Sequence, residues 1–492
     1  MDERLTFTYS GSNMVTRAAS GSGHTEVVSF APPPPARQVR EHGDWAFNGL
    51  MVFTALLYLR PQDAIPPLAV IPLAEIAAIS ALIAMAFGRL RRGLPLSRVT
   101  PELLGVVGLG AMILLTAPFS IWPGGAVKTF TEIFVKVVLI FTLIVHTLTS
   151  PHRLRRFAWV VLLATSYIAF RGTLDYLRGI NLIENGRVMG AVGGMFENPN
   201  DLALNMVSIL PLAVLLAWRS DSLLPKLAAV AGACLMVVTT IASQSRSGFL
   251  GLAAMMVILA ILVGRKSPRV LVVGAFLLVL ALPLAPSSYW SRMASITDES
   301  RDETGSREAR RSLLAEAWRA FQSHPFTGVG AGNFVAYNPQ GRTEPWMEAH
   351  NAVLQVASEL GVFGLTIFLF LIYRGIFAAR QVSQLLLRAI GVVRKRRSGA
   401  GTPEPPPHVV TLREAAYLEA HSAAMTAAIA GWFFCALFAS VAYSWTFYYL
   451  LALAIAPREI LLDRLAGRSV PHSAVVRRSK IGRVPHPAEA QT

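Results

Sequence analysis

Long apolar runs recur along the chain, and they constrain its fold more than any other feature. A run of about 20 apolar residues can cross the roughly 30 Å hydrocarbon core of a membrane as a helix. The 492 residues are 53% hydrophobic and only 15% charged, which is more apolar surface than a water-soluble fold of this size carries. Because lipid offers no hydrogen-bond partners, each run must pair its own backbone groups. The sequence therefore predicts an all-α polytopic transmembrane helical bundle.

These runs predict about twelve membrane spans. Eleven of them begin near Leu68, Glu102, Ala126, Phe157, Asp201, Leu223, Gly248, Val270, His350, Ser422 and Trp445. A shorter run lies near Ala46 to Leu59. Spans 1–9 occupy residues 45–286, span 10 occupies residues 350–373, and spans 11–12 occupy residues 422–462. A long soluble segment, residues 287–349, separates spans 9 and 10.

The distribution of Lys and Arg predicts the orientation of these spans, because basic short loops stay in the cytoplasm. Basic loops occur at residues 89–98, 153–156, 265–269 and 394–397. The basic linker 374–421 and the basic tail 463–492 fall on the same side, as do residues 1–44, whose composition predicts disorder. Segment 287–349 then lies in the periplasm. The net charge of +16 is explained by this topology and by attraction to anionic lipid, without a nucleic-acid partner.

Arg246 lies at the predicted outer end of a span, against the positive-inside trend. It could reach toward lipid phosphate along its aliphatic stem. It could also bind an anionic group through its planar fork, a geometry that suits pyrophosphate. The residue alone does not decide between these roles.

Lys128, Glu132 and Lys136 lie four residues apart on one face of a predicted span. Charges at such depth mark either a substrate path or an internal pair, and the order of Glu132 and Lys136 favours a bridge between them. Further along the chain, the sequence ENPND predicts a turn in which Asn200 or Asp201 caps the next helix.

Segment 287–349 contains an amphipathic helix that stops at Pro325. Leu314, Trp318 and Phe321 fall on one face. This pattern predicts a helix at the membrane interface or packed on the bundle, and a purely structural lid is the alternative. The glycine-rich string from Gly328 follows no predicted strand, so it does not indicate a dinucleotide site.

His350 is predicted to begin span 10. The positive end of the helix dipole would disfavour a protonated imidazole there and leave a neutral ring that can accept a proton. This placement suits a general base. The alternative is a histidine that only caps the helix.

Two motifs resemble those of the O-antigen ligase and polymerase superfamily of bacterial inner membranes. The ligase pattern is a histidine, then Asn, Ser or Gln, then nine residues, a glycine, two residues, and Gly, Thr or Tyr. His350, Asn351, Gly361 and Gly364 match it. The second pattern, an arginine and a leucine separated by three residues, is met by Arg246 and Leu250. The resemblance extends well over about residues 187–373 and covers the flanks by hydropathy alone.

The resemblance implies an inverting glycosyltransferase with a periplasmic active site and cytoplasmic termini. A glycan would move from undecaprenyl pyrophosphate to a hydroxyl on a lipid A-core, glycan or protein acceptor, with no cofactor and no metal. His350 would be the catalytic base, Arg246, Arg307 and Arg187 would bind the pyrophosphate donor, and Asn351, Asn200 and Lys136 would support them. An alternative metal site would use Asp175, Glu184 and Glu197.

Other functions stay open on the sequence. A polysaccharide polymerase or a protein O-glycosylating ligase shares these motifs. A lipid-linked sugar transporter or flippase would also suit charges within spans, although a long segment after nine spans breaks the equal halves of such folds. A non-catalytic scaffold of a polysaccharide export complex is the third possibility.

Overall fold

The computed structural model describes residues 6–10, 13–17, 44–68, 70–183, 186–190, 196, 198–263, 287–294, 306–341, 346–397 and 410–466. Within these ranges, the side chains of the two N-terminal segments and of residues 64, 66, 287–288, 292, 306–307, 339 and 389–397 are not described. The predicted span near Val270 lies outside the described residues, as do Glu184 and Glu197.

Helices make up most of the described structure. They are α1 (Trp45–Leu59), α2 (Pro61–Ala64), α3 (Leu73–Arg91), α4 (Pro101–Thr116), α5 (Pro123–Lys128), α6 (Val135–Thr147), α7 (Pro151–Arg178), α8 (Pro199–Arg219), α9 (Leu223–Ala242), α10 (Arg246–Val263), α11 (Ser287–Ala294), α12 (Ser306–Ser323), α13 (Ala352–Arg397), α14 (Leu412–Ala436) and α15 (Trp445–Leu465). A π-helical turn, Thr129–Phe134, joins α5 to α6. Short 3-10 turns occur at Pro66–Leu68, Ala117–Phe119, Phe334–Ala336 and Pro339–Gly341.

Strands in the described residues are confined to two short antiparallel hairpins. Strand β1 (Thr6–Ser10) pairs with β2 (Asn13–Arg17), and β3 (Leu182–Ile183) pairs with β4 (Arg187–Val188). The predicted all-α class is therefore confirmed.

Nine helices of the described part of the chain are long and apolar enough to cross a membrane. They are α3, α4, α5 continued through α6, α7, α8, α9, α10, α13 and α15. Helix α1 has 15 residues, fewer than the roughly 20 that a span needs, and α14, with 25 residues, is not among the nine. The polytopic membrane bundle is confirmed, while its predicted count of about twelve spans stays a prediction.

Two helices extend beyond the spans that the sequence predicts. Span 11 is expected to begin near Ser422, but α14 begins at Leu412. The cause is a capping box, in which Thr411 Oγ1 accepts the Glu414 N–H at 3.2 Å and Glu414 Oε2 accepts the Thr411 N–H at 3.0 Å. Such reciprocal bonds satisfy backbone donors that a helix start leaves unpaired. Helix α13 continues to Arg397, so part of the predicted linker is helical.

Helices α8, α10 and α14 pack closely through small residues. A Cβ atom on Gly251 would lie 2.2 Å from Cys435 Sγ and 2.9 Å from the Gly431 carbonyl oxygen. A Cβ atom on Gly431 would lie 2.9 Å from Val207 Cγ1. Small residues let membrane helices approach each other closely. This packing holds the beginning of α10 against the end of α14.

A buried ion cluster joins α4, α13 and α15. The Glu102 side chain is fully buried and receives two parallel bonds from Arg458, whose Nη1 and Nη2 lie 2.7 and 2.6 Å from its two carboxylate oxygens. Arg374 Nε adds a third bond at 2.6 Å. The bidentate fork and the third donor satisfy a charge that would otherwise be costly in a membrane protein.

We predict that Glu102→Ala destabilises the bundle by about 3 to 5 kcal/mol, because it removes the shared partner of the buried Arg458 and the half-buried Arg374. The midpoint of thermal unfolding in detergent should fall. Glu132→Ala is the matched control, since Glu132 forms an exposed pair with Lys128 at 3.9 Å. Equal midpoints for the two variants would show that the cluster does not hold the helices together.

Candidate active site

His350 lies just before α13 rather than within it. Helix α13 begins at Ala352, and Asn351 is its cap, because Asn351 Oδ1 accepts the N–H groups of Val353 at 3.0 Å and Leu354 at 2.9 Å. His350 has a φ of 50°, a left-handed conformation that residues other than glycine adopt rarely. The prediction that His350 begins the helix is therefore wrong, and the helix cap is Asn351.

The loop 437–444, which joins α14 to α15, holds His350 and Asn351 in place. The His350 N–H donates to Ser440 Oγ at 2.9 Å. Asn351 Nδ2 donates to the Leu437 carbonyl oxygen at 3.1 Å. The unusual backbone turn at His350 is thus fixed by partners from another part of the chain.

The second predicted motif meets the same end of α14. Arg246 is the first residue of α10 and is half-buried. The next residue, Ser247, accepts a bond from Cys435 Sγ at 3.3 Å through its carbonyl oxygen. Leu437, the first residue after α14, is the partner of Asn351. One helix end therefore contacts the neighbours of both Arg246 and His350.

Arg187 and Asn200 brace the turn that precedes Arg246. Arg187 Nε donates to the Ser243 carbonyl oxygen at 3.2 Å, and its Nη2 donates to Asn200 Oδ1 at 3.0 Å. Asn200 Oδ1 also accepts the Ser245 hydroxyl at 2.9 Å. Arg187 is only 5% exposed, so its contacts favour a supporting role for this arginine.

The cap of α8 differs from the prediction. Asn198 Oδ1 accepts the Asn200 N–H at 2.8 Å, so Asn198 is the cap rather than Asn200 or Asp201. Pro199 occupies the first helical position, which proline favours because the N–H it lacks would be unpaired there. Because Asn200 is not the cap, its side chain can accept the hydrogen bonds from Arg187 and Ser245 in the turn before Arg246.

Helix α12 brings an arginine toward His350, but the described one is Arg310. The side chain of Arg307, the predicted donor-binding residue on this helix, lies outside the described residues. Burial lowers the pKa of His350 below its usual 6.5, and the positive charge of Arg310 lowers this pKa further. The predicted neutral imidazole is consistent with this direction. The causes of this direction are burial first and the charge of Arg310 second.

The packed face of α12 lies one residue away from the predicted face. Leu313, Ala317 and Ala320 are buried, and the last two pack with Phe334 and other apolar residues of the following segment. Trp318, on the predicted face, is 50% exposed. The helix therefore packs on the protein through one face and leaves an aromatic side chain for the membrane interface.

Lys136 lies apart from this cluster in the contacts that the structure describes. Its Nζ is 3.1 Å from Glu75 Oε1 on α3, while Glu132 pairs with Lys128 at 3.9 Å. The predicted bridge between Glu132 and Lys136 is wrong. The π-helical turn Thr129–Phe134 explains this, because it alters the four-residue register of an α-helix.

Of the three carboxylates of the alternative metal site, the structure describes only Asp175. Asp175 is 1% exposed, and its Oδ2 accepts a hydrogen bond from Asn181 Nδ2 at 2.7 Å. In the described ranges, no three His, Cys, Asp or Glu residues come close enough together to hold a metal ion.

Helix α13 is broken at Gly361, the first glycine of the histidine motif. Gly361 has φ 65° and ψ −165°, so the backbone bonds around it leave the helical pattern. The Val362 N–H donates to the Pro325 carbonyl oxygen at 2.8 Å. The Val329 N–H donates to the Ser358 carbonyl oxygen, also at 2.8 Å. The segment before His350 therefore supplies the partners that the broken helix lacks.

Both motif glycines are required by close contacts. A Cβ atom on Gly361 would lie 2.5 Å from the carbonyl carbon of Phe326, in addition to its positive φ. A Cβ atom on Gly364 would lie 2.3 Å from Leu360 Cβ. Real Cβ atoms do not approach other atoms so closely, so these positions exclude larger residues unless the backbone moves.

Comparison with known proteins finds a family for part of this site. Residues 231–369 match the family model described as O-antigen ligase. The matched region includes Arg246, helix α12 and the whole histidine motif. No curated protein matches the chain. The resemblance drawn from the motifs is therefore confirmed over the matched residues.

The sequence analysis does not identify two residues of the site. Arg310 could have been found, since it lies one helical turn after Arg307 and therefore on a similar face. Ser440 carries no local signal, because it binds a segment that is distant along the chain.

We predict that Gly361→Ala destabilises the protein, since an L residue at φ 65° and ψ −165° costs about 1 to 3 kcal/mol before the contact with Phe326 is counted. Deuterium uptake should rise at residues 325–330, and the midpoint of thermal unfolding should fall. Gly108→Ala is the control, because a Cβ atom there would meet its nearest neighbour, Ile367 Cδ1, at 3.8 Å. Unchanged uptake in Gly361→Ala would contradict the packing of this segment into the helix break.

Proposed function

We propose that this protein is an O-antigen ligase-type glycosyltransferase that moves a glycan from undecaprenyl pyrophosphate to an acceptor hydroxyl. The observation that carries the proposal is the pair of hydrogen bonds at the end of α14. Cys435 bonds to Ser247, the neighbour of Arg246, and Leu437 bonds to Asn351, the neighbour of His350. The family match over the same residues supports it. The proposed location is the periplasmic face of a bacterial inner membrane, with both termini in the cytoplasm.

His350 acts as the general base in this scheme. Its neutral imidazole takes the proton of the acceptor hydroxyl, whose oxygen attacks the anomeric carbon. The bond to pyrophosphate breaks in the same step, so the anomeric centre inverts. Arg246 and Arg307 meet the leaving pyrophosphate, and Arg187 supports the turn that carries Arg246. Fixed guanidinium groups then stabilise the developing charge without a metal ion.

The histidine motif favours a ligase over a polymerase, since it matches the ligase form at every specified position, including Gly364. Deletion of the gene separates the two. A ligase acts after chain growth, so full-length polymer should accumulate on undecaprenyl pyrophosphate. Accumulation of single repeat units would instead assign a polymerase.

His350→Ala and His350→Asn should both abolish transfer, because neither side chain can accept the proton. Asparagine tolerates the left-handed conformation at this position, so His350→Asn keeps the backbone turn and removes only the base. Transfer is measured with purified variants of equal thermal stability. A largely active His350→Asn enzyme would refute the base assignment.

Arg310→Ala should make transfer more sensitive to acid. The neutral ring is the base, so activity falls as pH decreases through the pKa of His350. Removal of the Arg310 charge raises that pKa toward its usual value, and half-maximal activity on the acid side should move to higher pH. Arg319→Ala on the same helix is the control, since Arg319 pairs with Glu316. A shift in the opposite direction would contradict the account.

Arg246→Lys should lose donor binding nearly as much as Arg246→Ala, by roughly ten- to a hundredfold, because an ammonium cannot form two parallel bonds to pyrophosphate. Donor affinity is measured by titration with the undecaprenyl pyrophosphate-linked glycan. Arg171→Lys, in the last third of α7, is the control for a basic residue outside the site. Full donor affinity in Arg246→Lys would leave Arg246 with a lipid-anchoring role.

A further inference from the structure

Glu359 is a buried carboxylate that the proposed chemistry does not use. It lies on α13 just before the break at Gly361 and is 3% exposed. Its Oε2 accepts the Gly332 N–H at 2.9 Å, and its Oε1 accepts the Phe334 N–H at 3.4 Å. The buried Tyr443 side chain interacts electrostatically with this carboxylate. An ionisable group within a membrane span is costly and usually has a function.

Two of these partners belong to a loop of unusual backbone shape, residues 328–334, here called the glycine loop. Gly328, Gly330 and Gly332 all have positive φ, at 66°, 102° and 70°. The Gly330 N–H donates to the backbone carbonyl oxygen of Glu359 at 3.0 Å. Glu359 therefore holds the glycine loop through both its backbone and its side chain.

The glycine loop reaches His350 from one side. Phe334 is 1% exposed and packs in the same apolar cluster as Ala349, the residue immediately before His350. A shift of Phe334 would therefore move the backbone that sets the left-handed turn at His350.

The loop 437–444 reaches His350 from the other side. Tyr443 in this loop interacts electrostatically with Glu359, and Ser440 in the same loop accepts the His350 N–H. A small cavity between the two loops is lined by Glu348, Gln355, Glu359 and Ser440. The Glu359 carboxylate thus bonds to one of the loops that flank the proposed base and lies against the other.

We propose that Glu359 is a positioning residue, which holds the glycine loop and the loop 437–444 at the spacing that orients His350. The effect of Glu359 on catalysis rests on the proposed function. The effect of Glu359 on the geometry around His350 does not. Glutamine cannot replace it fully, because an amide offers one acceptor oxygen and would direct N–H groups at a peptide N–H.

The test compares Glu359→Gln with Tyr443→Phe and with the control Glu316→Gln. Glu316 is also buried, but its carboxylate pairs with Arg319 on its own helix. Tyr443→Phe keeps both bonds to the glycine loop and removes only the hydroxyl of the loop 437–444 that interacts with Glu359. It therefore also tests the proposal if Glu359→Gln does not fold.

The first readouts do not depend on activity. Deuterium uptake at residues 332–334 should rise in Glu359→Gln and stay unchanged in Tyr443→Phe. Diethylpyrocarbonate labelling of His350, followed by mass spectrometry over a range of pH, should become faster in both variants, with His324 as the internal reference. Three charged or titratable groups around the site bear on the labelling of His350. Arg310 of α12 acts on His350 directly. Glu348 lies in the same segment as His350 and interacts with Asp201 of α8.

Transfer kinetics give the second readout. A displaced base should lower kcat by about ten- to a hundredfold and leave the donor KM unchanged, and Glu316→Gln should match the wild type. Unchanged labelling of His350 in both Glu359→Gln and Tyr443→Phe overturns the positioning role, whatever happens to kcat. Altered labelling in a protein that transfers no glycan keeps the positioning role and rejects the proposed function.

Discussion

The helix break at Gly361 is the constraint on which the rest of the site depends. A peptide group without a partner is costly inside a membrane protein, so a span can be interrupted only where other protein groups complete its hydrogen bonds. Here the carbonyl oxygen of Ser358 and the N–H of Val362 are paired with Val329 and Pro325. The break and the segment before His350 therefore require each other. This explains why the histidine motif contains a glycine so far from the histidine.

The end of α14 adds the second constraint, because it joins two motifs that are distant along the chain. Close packing at Gly251 fixes α10 on α14, and the bonds from Cys435 and to Leu437 link Ser247 with Asn351. An imidazole and a guanidinium group that are held by this packing would suit the proposed reaction, in which proton removal and departure of an anion occur together. The geometry of the site is thus a consequence of membrane helix packing.

The sequence predicts those features that depend on local pattern and misses those that depend on distant partners. Apolar runs predict the helical bundle, and motif spacing places His350 and Arg246 in one family site. The Glu132 and Lys136 bridge fails, because a π-helical turn alters the register. The observed caps, Asn351 and Asn198, lie one to three residues from the predicted positions, a shift close to the usual uncertainty of helix ends. Glu359 and Ser440 could not be found, since their partners are set by the fold alone.

Reconstitution in proteoliposomes tests the central claim most directly. The purified protein is given an undecaprenyl pyrophosphate-linked glycan and an acceptor on the same side of the bilayer, in the presence of EDTA and without ATP. The account predicts that the glycan appears on the acceptor with an inverted anomeric centre, that undecaprenyl pyrophosphate is released, and that His350→Asn abolishes both. Movement of the intact lipid-linked glycan across the bilayer without transfer, or activity that requires Mg²⁺ or Mn²⁺, would contradict it.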